Sequence, residues 1–162
     1  MSMFENEDYR WRETYFVLFD SAKRPTLKRL QHRLASLNKR FAFANPNGDE
    51  QGRFESLTVI SYDDFAALDI SYLSGEEVTE QAETLAQEMK GPDRRPDERA
   101  KLQRLRGCDG RFDVLHFEQV GGFDVDDAEE EMIDPGALLT VLDALVKLTD
   151  GIAVDPQSGT ML

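Results

Sequence analysis

The sequence predicts an α+β fold, a sandwich in the split βαβ order β-α-β-β-α-β with a helix and a short strand added towards the C-terminus. Three features lead there. Tyr15–Phe19 and Phe112–Val120 are short runs with apolar residues on both faces, the pattern of central strands. Leu27, Leu30, Leu34 and Leu37 recur at three- and four-residue steps, the stripe of an amphipathic helix. Between these landmarks lie a hairpin-like pair of runs and a second helical pattern. The length of 162 residues fits one domain. Such a chain buries about two-thirds of its unfolded surface without staples. Cys108 is its one cysteine, so an internal disulfide is impossible.

Residues 1–12 are polar and acidic and read as a lead-in to a single domain over 13–154. Tyr15–Phe19 is the first strand, because its length and aromatic content suit a buried strand better than a helix. Asp20-Ser21 ends it. Pro25 suits the first turn of the helix that carries the leucine stripe, and Asn38 stops that helix. Phe41-Ala42-Phe43-Ala44 can open a strand before the turn cluster Asn45-Pro46-Asn47-Gly48. Phe54–Ser61 holds the β-branched run Thr58-Val59-Ile60. In 66–73, Leu68, Ile70 and Tyr72 alternate with Ala67, Asp69 and Ser71, so the two segments pair as a hairpin. Val78–Met89 is helical, with Glu76, Glu77 and Glu80 in the first turn, where the helix dipole favours negative charge. Residues 91–97 read as a linker, and a short basic helix follows over about 97–106. Asp134-Pro135 caps a helix running to about Thr149. Ile152-Ala153-Val154 is a last short strand, and 155–162 reads as a tail. The first six elements match the ferredoxin-like sandwich, with the first and fourth strands expected side by side in the middle.

Charge is unevenly spread. Acids outnumber bases 32 to 19, a net charge of −13. Residues 21–40 nevertheless hold seven bases and no acid, whereas 54–89 hold nine acids and no base. Residues 90–111 are again basic, and 112–162 carry twelve acids and a single base, Lys147. Such segregation implies a strong dipole or a docking surface. The acidic total argues against general nucleic-acid binding. The motif of base-stacking RNA readers is also missing: Gly110-Arg111 precedes Phe112-Asp113-Val114-Leu115-His116-Phe117, with an acid inside it. No apolar run reaches the ~18 residues that a membrane helix needs. The acidic start lacks an apolar leader, which with the lone thiol predicts a cytoplasmic setting.

The sequence carries few signs of chemistry. Zinc needs four N or S ligands, and the candidates are Cys108, His32 and His116. The acidic run Asp124–Glu131 lacks the ligand order and the glycine of a calcium loop. Gly121-Gly122 follows a strand but leads into acids, which repel phosphate. No metal and no cofactor is therefore expected. Bases flank Cys108 (Arg104, Arg106, Arg111) and would lower its pKa if they faced it. His116 and Glu118 are two apart on a strand and share a face. With Asp113 they form the one candidate acid–base set. The plainer reading is a structural histidine held by a carboxylate. Lys28, Arg29, His32 and Arg33 lie off the leucine stripe and form the candidate binding surface.

The ending Leu148-Thr149-Asp150-Gly151-Ile152-Ala153-Val154-Asp155-Pro156-Gln157-Ser158-Gly159 resembles that of uncharacterised bacterial proteins with ferredoxin-like folds. The resemblance implies such a domain and no activity, so no catalytic residue is carried over. The sequence points to a small non-enzymatic binding or assembly module that self-associates or docks on another protein. Its basic helix would meet an anionic surface, such as the acidic 124–134 loop of another copy. One alternative is an enzyme of unknown reaction using the His116/Glu118 pair. Another is a regulatory sensor of a small ligand, and a nucleic-acid role through the first helix is the least favoured.

Overall fold

A computed structural model of the chain describes residues 7–88, 96–119 and 136–161. Its strands are β1 (Tyr9–Phe19), β2 (Phe41–Gly48), β3 (Phe54–Ser61), β4 (Ala66–Ser74), β5 (Gly110–Gln119), β6 (Ile152–Asp155) and β7 (Thr160–Met161). They form one sheet in the order β2-β3-β4-β5-β1-β6-β7, antiparallel throughout. The α-helices among the described residues are α1 (Leu27–Leu37), α2 (Glu76–Glu88), α3 (Pro96–Leu105) and α4 (Gly136–Thr149). None of them is long and apolar enough to cross a membrane.

The two apolar runs lie where their pattern requires. β5 is the middle strand and β1 is its neighbour, with Tyr15 opposite Val114 and Val17 opposite Phe112. Successive residues of a strand point to opposite faces. Val17 and Phe19 therefore join one core with Leu30 and Leu34 of α1 and Leu138, Val141, Leu142 and Leu145 of α4. Leu18 and Phe16 join another with Val78, Ala82 and Leu85 of α2 and Leu102 and Leu105 of α3. The expected β3–β4 hairpin is present, with Leu57 opposite Ile70 and Val59 opposite Leu68.

This arrangement corrects the expected ferredoxin-like sandwich of four strands with a helix and one short strand added. The α+β class holds, but the sheet has seven strands and helices cover both of its faces, which makes three layers. The reason is in the strands themselves. A strand apolar on both faces needs cover on both faces, and one layer of helices supplies only half of it.

Three boundaries also differ. β1 begins at Tyr9, inside the stretch read as a lead-in, because Arg10 and Arg12 find a partner across the sheet. β2 continues through the turn cluster to Gly48, with register irregularities around Asn47 and Asn45 at φ 52°. It is an edge strand, where Pro46, which has no N–H to donate, is tolerated. The stretch read as a tail turns back to form β7, two residues long. The linker read over 91–97 lies outside the described residues up to 95, and Pro96 opens α3. Also outside them are Gly121-Gly122, the acidic run Asp124–Glu131 with the rest of the 124–134 loop, and Asp134-Pro135.

Candidate functional site

The candidate acid–base residues all lie on β5, and its pleat divides them. His116 and Glu118 point to the face of α1 and α4, whereas Asp113, an odd number of positions away, points to the other. His116 is 4% exposed and Glu118 2%. A β-bulge on β1 determines what meets them. Arg10 pairs with Glu118 and Trp11 with Phe117, then Glu13 pairs with His116, so Arg12 is the extra residue. Glu118 accepts hydrogen bonds from Arg10 Nε at 2.7 Å and from Arg12 Nη1 at 2.6 Å. Arg10 Nη2 also donates to it. Burial alone pushes the Glu118 pKa up, but the bonds and charges of Arg10 and Arg12 outweigh it and hold the carboxyl below its ordinary range.

The carboxylate partner of His116 is therefore Glu13, at 3.2 Å from Nδ1, and not Glu118. A carboxylate only accepts, so Nδ1 is the donor. Asp113 accepts from Arg111 Nε at 2.6 Å. Arg111 also lies 4.4 Å over the Phe16 ring and donates to Gln81. Burial raises the Asp113 pKa, and Arg111 opposes the rise. The proposed triad of reactive groups is thus three separate structural pairs, with both arginines of the Glu118 clamp missed by the sequence reading. The bulge that aligns them leaves no sequence signal.

Cys108 is buried, and its Sγ lies 3.5 Å from the Arg104 carbonyl. Burial pushes the thiol up to about 11, against the pull of Arg104 and with Asp109 and Asp20 adding to the rise. This overturns the idea that nearby bases activate it, because burial decides the sign. A groove of about 270 Å³ beside it is lined by Asp20, Lys23, Arg104 and Asp150 among others. Its charges cancel: Lys23 Nζ lies 3.0 Å from Asp150 Oδ2 and Arg104 Nη2 3.5 Å from Oδ1.

A second groove, about 460 Å³, runs between α1 and α4 and has a different character. Thr26 caps α1 by accepting from the Arg29 amide at 3.1 Å, and the buried Leu30 and Leu34 turn the opposite face outward. That face presents Arg29, His32, Arg33 and Ser36 at helical spacing, and α4 adds Lys147 and Leu148. No acid lines it. Lys147 pairs with Asp143 one turn earlier at 2.9 Å. Of the four residues expected to bind, three line this groove. Lys28 is exposed on the same helix but outside the lining. Lys147 is the residue that the binding-surface reading missed, although a lone base in an acidic C-terminal third was a usable signal.

Among the exposed cations elsewhere, Arg40 pairs with Asp63 at 3.0 Å and Arg53 with Asp49 at 2.8 Å, whereas Lys39, Arg99, Lys101 and Arg106 form no ion pair among the described residues. Among the described residues Lys28, Arg29 and Arg33 form no ion pair. No three metal-ligating side chains converge among the described residues. No family model, curated protein or solved structure matches the chain.

Proposed function

We propose that the chain is a small non-enzymatic binding or assembly module that self-associates, with the groove between α1 and α4 as its docking surface. The observation that carries this reading is the basic, acid-free lining of that groove. Arg29, His32, Arg33 and Lys147 line it, and Lys28, Arg29 and Arg33 on α1 form no ion pair among the described residues. Three cations and a histidine without an acid favour an anionic partner. The groups that an enzyme would use are engaged in structural pairs, which weighs against catalysis through His116 and Glu118. The lone buried thiol fits a reducing compartment such as the cytoplasm.

Size exclusion with light scattering tests the reading. The expected result is association at about 0.1 M salt that is lost near 1 M, where the Debye length falls to about 3 Å. Arg29→Gln/Arg33→Gln should abolish it at about 0.1 M as well. A wild-type chain that stays monomeric at every concentration and salt removes self-association. A second reading, a small-ligand sensor, draws on the groove volume, which falls in the range of ligand sites, about 300–1,000 Å³. Thermal stabilisation by an amino acid or nucleotide, lost in the same variant, favours it over the first.

A further inference from the structure

We infer that the surface taken by this groove is the outer face of α2 on a second copy of the chain, in a head-to-tail contact. The inference rests on reading the groove as a docking surface and adds the partner and the geometry. α2 buries Val78, Ala82, Leu85 and Ala86. Its outer side exposes Glu76, Glu80 and Glu83 at i, i+4 and i+7, one continuous stripe, and α2 contains no base. Among the described residues none of these glutamates forms an ion pair. The spacing is complementary as well as the sign. Arg29 and Arg33 are separated by four residues, a rise of about 6 Å, and so are Glu76 and Glu80. Two such helices laid side by side bring cation and carboxylate together turn by turn.

The layers then determine the symmetry. α1 packs on the sheet face of Val17 and Phe19, and α2 on the face of Leu18. Their outer sides point away from each other across the sheet. One copy cannot satisfy both surfaces itself. A two-fold dimer would need both surfaces in a single interface, and the sheet stands between them. The contact is therefore heterologous, and each copy added leaves one basic and one acidic face free. The net charge of −13 opposes association at long range. Salt at about 0.1 M screens that repulsion beyond roughly 10 Å while direct contacts persist.

Mixing variants of the full chain tests this. Arg29→Gln/Arg33→Gln disables the basic face, and Glu80→Gln/Glu83→Gln disables the acidic one. All four positions are exposed, and circular dichroism verifies each fold. At about 0.1 M salt the wild type should form species larger than a dimer in light scattering. Each variant alone should be monomeric. The equimolar mixture should form a 1:1 complex that grows no further, since it holds one intact face of each kind. A wild type that stops at a dimer, or a mixture that stays monomeric, overturns the inference. If the α2 variant associates like the wild type while the α1 variant does not, the partner surface is elsewhere and the docking role of the groove survives. A monomeric wild type overturns both.

Discussion

Glu118 illustrates how a buried charge is accommodated at the residue level. Burial disfavours the carboxylate, and two arginines reverse the balance. Its folded pKa lies below the unfolded one, so the clamp stabilises the fold above the ordinary glutamate range. That contribution is lost as pH falls from about 4.3 downward through the folded value. Glu118→Gln should lower stability near pH 7 by about 1–3 kcal/mol, and the difference from wild type should shrink on acidification. Urea melts across pH measure it; a gap that widens in acid contradicts the clamp. Cys108 makes the opposite case. With its thiol pushed up to about 11 by burial, it should resist a thiol reagent at about pH 8 and label rapidly only once denaturant unfolds the chain. Fast labelling of the native chain would count against this placement.

α1 divides its work between two faces at the level of the element. Leu34 is fully buried in the core shared with α4, whereas Arg33 one position earlier lines the groove. Leu34→Ala should cost about 2–5 kcal/mol, and Arg33→Gln should stay within about 0.5 kcal/mol. Thermal melts of the two variants decide whether the faces are independent. The turn from α4 into β6 is tighter. A Cβ on Gly151 would lie 2.8 Å from the Leu18 carbonyl and 2.8 Å from Thr149 Oγ1. Gly151→Ala should destabilise by about 1–3 kcal/mol through overpacking. Thermal melts as stable as wild type would mean that β6 shifts to make room.

Across the whole molecule, one sheet serves two cores, and adjacent residues of β1 belong to different ones. The layers cannot loosen separately without exposing one side of the central strands. Unfolding should therefore be a single cooperative transition, with far-UV circular dichroism and Trp11 fluorescence coinciding. Leu30→Ala and Leu105→Ala, in opposite layers, should each shift that one transition. Two separated steps in either variant would indicate layers that melt independently. The same layering sets the basic side of α1 and the acidic side of α2 on opposite sides of the sheet.

The local elements were legible along the chain. The leucine stripe places α1, the β-branched run places β3, and the two doubly apolar runs place the central pair, since each signal lies in neighbouring residues. Those runs also implied cover on both faces, which the split βαβ expectation overlooked. The ends of β1 and β2 were hidden, because their charged, proline and asparagine residues read as loop until a partner strand supplies hydrogen bonds. The candidate site divides in the same way. The basic face of α1 follows from helical periodicity alone. Lys147 joining it, Arg10 and Arg12 closing on Glu118, and burial raising the Cys108 pKa were decided by tertiary structure. Each depends on residues far apart in the chain meeting across the sheet or between helices, and no local pattern encodes which side chain will face which.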